Sequence, residues 1–304
     1  MIRPAAAADA DAIAAFFAAT HELDSAVGAI SAADWRRFAA LPQNHDGRDF
    51  RLALAEDEIA GVATSSLRDH ETPWVRHFRI VVAPPRRRRG VGRALLRHLA
   101  EMDAPHPAIL QCLCPERWEA MAGFLEAGGF AVLENELDML CGDAGADRAT
   151  PRRREVTVRV LDEPAPLAAA LADVHNRAYE GMPSFVRLSA AEMGALFAED
   201  ALVLVAEQKG TTVGYCHFEV GRNESWIESI AVDPPRQRRG IGAALMIEAL
   251  AEAARRAGPC VRLSVSDRNA AAYVLYRHLG FAVVAKSARY RADRETVLER
   301  LSAR

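Results

Sequence analysis

A fourteen-residue segment occurs twice in this chain, as VAPPRRRRGVGRAL from Val82 and as VDPPRQRRGIGAAL from Val232, with ten positions identical. Each copy leads from an apolar strand through Pro-Pro, a run of arginines and Gly-x-Gly into an amphipathic helix. Glycine lets the main chain turn tightly and approach a ligand with no Cβ in the way. The first helical turn leaves N–H groups without acceptors, and these, with the positive end of the helix dipole, favour a phosphate or pyrophosphate. Arg86 to Arg89 in the first copy, and Arg236, Arg238 and Arg239 in the second, add charge beside it. The chemistry written here is the holding of an anion.

Other readings of the same residues exist. Four consecutive arginines also make a solvated face or a nucleic-acid patch. A Rossmann turn is a second rival, but Leu95 and Leu245 stand where its third glycine belongs, and no βαβ unit with an acidic ribose ligand is evident. A second element at a matched distance in each half decides against both. After the loop helix comes a strand (AILQCLC, then VRLSV), another helix, and a Gly-Phe pair opening a further strand, GGFAV at Gly128 and LGFAV at Leu279.

The joint pattern resembles the acyl-CoA pyrophosphate loop of the GNAT superfamily of N-acetyltransferases, Gln/Arg-x-x-Gly-x-Gly/Ala after a strand ending in Val-x-Pro. Here it is met by Arg87-x-x-Gly90-x-Gly92 and Gln237-x-x-Gly240-x-Gly242. The resemblance implies an α/β (α+β) fold of two tandem domains, each a mixed, mostly antiparallel central sheet flanked by helices. It implies acetyl-CoA as co-substrate, held by Gln237, Arg238, Arg239, Gly240, Ile241, Gly242 and Ala243 with Asn269 and Tyr276. In the first half the matching positions are Arg87, Arg88, Arg89, Gly90, Val91, Gly92 and Arg93. Backbone N–H groups at Ile230, Ala231 and Val232 would polarise the thioester carbonyl.

Direct acyl transfer needs an amine made nucleophilic, a polarised carbonyl and a proton for the departing thiolate. In the family resembled, a tyrosine on the helix before Gly-Phe commonly supplies the proton, and an asparagine at the start of that helix lies near the CoA. The second half has Asn269 and Tyr276 in those places; the first has Trp118 and Leu125. Leucine donates no proton, so the first domain is expected to be catalytically silent, whatever it binds.

For the base, side chains alternate along the strand before the second loop, placing Glu224, Trp226, Glu228 and Ile230 on one face. The family often carries a carboxylate on this strand. Glu228, the more central, is expected to have a raised pKa, and Glu224 is the other candidate. The matching strand of the first half, WVRHFRIVV, has no carboxylate. By the same resemblance the acceptor pocket falls in HNRAYEGMPSFVRLS, with His175, Tyr179 and Glu180 as candidates and Asn176 and Arg187 beside them. The acceptor implied is a small-molecule amine. Binding of acyl-CoA without turnover, as a sensor or interaction module, stays open as the alternative.

The elements that must position these residues follow from periodicity. In the first half, strands are expected near residue 2 and over 50–55, 59–67, 75–82 and 108–113, with a final pair ending at 140. Helices are expected over 8–20, 32–41, 90–102 and 116–127. The second half repeats the order, with strands over 156–161, 202–207, 213–220, 226–232 and 261–265 and closing strands after Phe281. Its helices are expected over 166–179, 190–198, 240–257 and 269–279. The Gly-, Pro- and charge-rich stretch 142–154 reads as a linker, dividing the chain into domains 1–141 and 155–304.

Composition fits this division: 304 residues with 50% apolar content suffice for two cores, and the net charge of −3 does not suggest a nucleic-acid module. No apolar run suggests a membrane span or signal peptide, and the expected location is the cytoplasm. Five cysteines, odd in number and without a His or Cys cluster, read as free thiols with no metal. Two fused copies can pack as a pseudo-dimer within a monomer, and a homodimer is the other possibility.

Overall fold

The structure is a computed structural model that describes the chain except for residues 69–73, 103–107, 147, 149–155, 183, 184, 186, 198–200, 222, 257 and 304. Much of the expected linker, and the end of the helix expected over 190–198, lie outside the described residues. Contacts divide the chain into two units: unit 1 comprises residues 1–132 and 289–304, and unit 2 comprises 133–288.

Unit 1 runs β1 (Ile2–Pro4), α1 (Ala10–Leu23), α2 (Ala32–Ala39), β2 (Arg51–Ala55), β3 (Glu58–Arg68), β4 (Trp74–Val82), α3 (Val91–Glu101), β5 (Ala108–Pro115) and α4 (Glu119–Ala127). The strands lie in chain order, antiparallel except for the parallel pair β4–β5. Glu56 and Asp57, both at positive φ, make the tight β2–β3 turn, a conformation whose twist matches that of the strands it joins. Helices α1 and α2 bury Ile13, Phe16, Phe17 and Trp35 against Leu52, Val62 and Val81. Helix α3 buries Leu95, Leu96, Leu99 and Ala100, one stripe at helical spacing.

Strand β6 (Ala131–Cys141) crosses into unit 2, which continues with β7 (Thr157–Val160), α5 (Ala168–Tyr179), α6 (Ala190–Ala195), β8 (Ala201–Gln208), β9 (Thr211–Val220), β10 (Glu224–Val232), α7 (Ile241–Arg256), β11 (Cys260–Ser266) and α8 (Ala270–His278). The order is β6-β11-β10-β9-β8-β7, antiparallel except for β10–β11. One face packs α7 and α8 over Phe218, Ile227, Leu263 and Phe281; the other packs α5 and α6 over Val203, Val205, Tyr215 and Ala231. A reciprocal Ser189–Glu192 capping box starts α6.

The chain closes with β12 (Ala282–Asp293) and α9 (Arg294–Ser302). Two segments depart from a division at the linker. Residues 136–141 of β6 pair antiparallel with β11, which places them in unit 2. Residues after 288 return to unit 1, where the Arg291 guanidinium meets the Gln111 side chain at 2.8 Å and Arg294 donates to the Ala100 carbonyl at 2.6 Å. Arg93 and Arg97 both donate to the Leu301 carbonyl at the end of α9. Each expected pair of closing strands is a single long strand, and α9 was not anticipated. Its signal was the i,i+4 pair Val297 and Leu301, both buried.

Candidate active site

In unit 2 the strand-to-helix junction folds as a cradle. Pro234 and Pro235 open a 3-10 turn, Arg238 (φ 60) and Gly240 (φ 70) take left-handed backbone, and the Gln237 amide donates back to the Val232 carbonyl at 3.0 Å. The N–H groups of residues 238–243 have no acceptor among the described residues, the first intrahelical bond being Ala244 N–H to Gly240 carbonyl. A Cβ added at Gly242 would meet only ordinary contacts, Leu275 at 3.6 Å and Val232 at 3.8 Å. No close contact among the described residues demands glycine there, and its missing side chain leaves the turn open to a ligand.

The cradle floors a cleft of about 850 Å³ that brings together Ile230, Val232, Gln237, Arg238, residues 240–243, Asn269 and Tyr276. Met182 and Arg268 also line it. Sequence reading missed both, although Arg268 immediately precedes Asn269. Arg239, Ala231, Glu224, Glu228, His175, Tyr179 and Glu180 are not among the lining residues.

Strand β10 does not alternate through its length. Its register on β9 shifts between Ile227, opposite Phe218, and Ser229, opposite His217, leaving Glu228 as the extra residue of a β-bulge. The expectation that Glu224, Trp226, Glu228 and Ile230 share one face is therefore corrected. The bulge reverses the alternation, so Ile230 and Val232 join Ile227 and Phe218 on the α7–α8 side, while Ala231 joins Tyr215 beneath α5.

β11 pairs with β10 only from Glu224 to Ile227, so the remainder of β10 faces an open edge. The Ile230 carbonyl accepts from the Tyr179 hydroxyl at 2.9 Å and the Val232 carbonyl from Gln237. In extended backbone a residue's N–H shares the edge of its carbonyl, so Ile230 and Val232 present donors to that opening. Ala231 instead turns its carbonyl toward Gly214 of β9.

Glu228 is exposed at one side yet crowded by protein. Burial, then the neighbouring Glu219 carboxylate, raises its pKa to about 7. It has no ion-pair or hydrogen-bond partner among the described residues. Glu224, by contrast, is held at 2.6 Å by Arg262 of β11.

Tyr276 of α8 is 5% exposed, its ring 5.9 Å from that of Phe281. Tyr276 lines the cleft, and no hydrogen bond of its hydroxyl is formed among the described residues. Burial, followed by Tyr179 and Cys216 nearby, pushes its pKa far above the ordinary phenol value, so it stays protonated. Asn269 caps α8, its side-chain oxygen accepting from Ala272 N–H at 3.1 Å. Cys216 is driven up to about 12 by burial, and Cys112 is raised in the same way. Neither is a thiolate, so neither is a nucleophile.

The acceptor candidates divide. Ser229 donates to the Tyr215 hydroxyl at 3.1 Å, and the same hydroxyl shares a hydrogen bond with His175 Nδ1 at 2.8 Å. The His175 ring lies over Tyr179 at 4.6 Å between centroids. Asn176 exchanges two hydrogen bonds with the Leu188 main chain, so it fastens the loop after α5. Arg187 stands 6.0 Å from the Phe185 ring, and Glu180 is exposed at the end of α5. Behind the bulge, His217 is 2% exposed with both ring nitrogens unpartnered, and burial lowers its pKa to about 4.

In unit 1 the loop copies this backbone: Arg88 at φ 60, Gly90 at φ 84, and Arg87 Nε donating to the Val82 carbonyl at 3.0 Å. The side chains differ. Arg87 pairs with Asp24 at 2.7 Å and Arg86 with Glu56 at 2.9 Å, while Arg93 is spent on the end of α9. Leu125 is fully buried at the position of Tyr276. Among the described residues no group of three His, Cys, Asp or Glu is placed to hold a metal, and no helix is long and apolar enough to cross a membrane.

Comparison with known proteins agrees with this geometry. The acetyltransferase (GNAT) family profile matches residues 14–107, and the acetyltransferase (GNAT) domain profile matches residues 199–283. A mycothiol acetyltransferase from Amycolatopsis mediterranei is 30% identical over 271 residues, covering 80% of this chain and 83% of that protein. One from Clavibacter michiganensis is 30% identical over 271 residues, covering 82% and 78%.

Among solved structures, a tandem GNAT protein from the clavulanic acid biosynthesis pathway superposes with TM-score 0.77 at 18% identity, covering 97% of this chain and 98% of that one. A GCN5-related N-acetyltransferase from Sphaerobacter thermophilus gives 0.72 at 23% identity, covering 97% and 95%. At these identities the structural likeness is one of fold. The chain belongs to the GNAT family: it is an N-acetyltransferase with two GNAT domains in tandem.

Proposed function

We propose that unit 2 transfers an acetyl group from acetyl-CoA to a primary amine of a small molecule, both bound together and with no acyl-enzyme. The observation that carries this reading is a single cleft lined by Gln237, Arg238, residues 240–243 and Tyr276, with the amides of 238–243 lacking acceptors among the described residues. The cradle holds the diphosphate. Ile230 and Val232 N–H stabilise the negative charge that develops on the thioester oxygen. Glu228, near neutrality in pKa, accepts the amine proton directly or through a water. The amine nitrogen forms its bond to the carbonyl carbon, the C–S bond breaks, and the sulfur takes the Tyr276 proton.

The relatives' name makes an amine related to mycothiol the first acceptor to test. We further propose that the protein acts in the cytoplasm. The test is release of free CoA from acetyl-CoA across a panel of amines. Release that is lost in Tyr276→Phe supports the enzyme; tight acetyl-CoA binding with no release for any acceptor supports a sensor instead.

A further inference from the structure

The acyl-CoA groove of unit 1 is shut by the chain's own side chains. In unit 2 the passage above the cradle runs between the start of α8, at Asn269 and Ala270, and the end of β10, at Ile230 and Val232. The equivalent passage in unit 1 lies between the start of α4 and the end of β4. Trp118 stands there in place of Asn269, and its indole packs against the cluster of Phe16, Phe17 and Val81 on the far side. Its Nε1 is buried with no acceptor. A small capping amide leaves a passage open; an indole that spans it does not.

Three independent features agree. β4 lacks the bulge: its ladder with β3 runs unbroken from Arg68 opposite Val75 to Gly61 opposite Val82. Phe78 occupies the position of Glu228 and stacks edge-on against Phe130 at 5.7 Å, as core. Asp24, at the end of α1, reaches Arg87 of the loop at 2.7 Å, and that guanidinium lowers the Asp24 pKa. Among the described residues of unit 2 no acidic side chain engages Gln237. The backbone cradle of unit 1 thus survives while the route for a pantetheine arm is filled.

We infer that Trp118 closes unit 1 to acyl-CoA, confining the chain to one acetyl-CoA, held by unit 2. The inference uses the reading of unit 2 to define the groove, and the experiment separates the two. Binding stoichiometry is measured calorimetrically with acetyl-CoA on the full chain, circular dichroism confirming that each variant is folded.

The expected values are one equivalent for the wild type, none for Gly240→Glu, and one regained for Gly240→Glu combined with Trp118→Gly. The reciprocal change Asn269→Trp is expected to remove binding from the wild type. Two equivalents in the wild type, or a site in Gly240→Glu that disappears on adding Gly90→Glu, would overturn the closure. So would undiminished binding by Asn269→Trp, or a folded Trp118→Gly double variant that takes up nothing. Should the wild type bind none, the reading of unit 2 fails. Closure then stands or falls on whether Trp118→Gly alone gains an equivalent.

Discussion

The Tyr179 hydroxyl donates to the Ile230 carbonyl at 2.9 Å, tying the last residue of α5 to β10 two residues beyond the bulged Glu228. The bond fixes the edge of β10 from which Ile230 N–H points, and it joins the element that bears the acceptor candidates to the strand that bears the proposed base. In Tyr179→Phe the ring still packs, but the Ile230 carbonyl loses its donor. A loss of about 1–3 kcal/mol is expected. It should appear as a roughly tenfold lower kcat with the affinity for acetyl-CoA unchanged.

Tyr276→Phe removes one oxygen that has no hydrogen bond among the described residues. Stability should hold, and kcat should fall about 100-fold, the lower bound for a positioned acid. A midpoint of thermal unfolding within a degree or two of wild type, with that drop in rate, checks both halves. An unchanged rate would remove Tyr276 from the mechanism.

Glu228 gains its negative charge as pH rises through about 7, so kcat/KM should climb across that interval and level above it. Glu228→Gln should flatten the profile and lower the plateau about 100-fold. The sign for stability is opposite. A carboxyl whose folded pKa is raised opposes folding once ionised, so the variant should be the more stable one above pH 7 and equal to wild type below pH 4. Thermal unfolding at the two pH values tests this.

His217 is neutral and buried, with its pKa lowered to about 4 from an ordinary 6.5. The unfolded chain binds the extra proton between those values, so stability is complete above 6.5 and declines as pH falls toward 4. His217→Phe should remove that part of the acid sensitivity. Comparing urea midpoints at pH 7 and pH 4.5 in both proteins gives the difference.

Gly129 has φ +88, and a Cβ built there lies 2.7 Å from Thr296 Cγ2 of α9. Gly129→Val should loosen α9 and lower the stability of unit 1 by about 2 kcal/mol or more, from overpacking and left-handed backbone together. Faster proteolysis within residues 294–302 is the readout.

The cradle was legible because anion binding by main-chain donors depends on glycines at fixed spacing, and the duplication printed that spacing twice. Tyr276 and Asn269 were singled out by the resemblance to the family, and both line the cleft. Alternation along β10 was not legible, because a bulge adds one residue without any side-chain signature: Glu228 looks like any strand position until the partner strand is seen. Glu228 was already the preferred candidate for its central place on the strand, but the pairing of Glu224 with Arg262, on a parallel neighbour, was not visible. Trp118 was seen to replace Asn269, but its role in filling the groove depends on helices from the other end of unit 1. Helix α9 was overlooked because only Val297, Leu298 and Leu301 are apolar in it, too few to mark a helical face, and only Val297 and Leu301 are buried.

Residues 289–304 complete unit 1, and the ribosome makes them only after all of unit 2. The first GNAT domain to be translated is therefore finished last, and Arg93 and Arg97 must wait for the Leu301 carbonyl before they can engage it. A nonsense codon near residue 290 would spare every residue that lines the cleft of unit 2 and strike unit 1 instead.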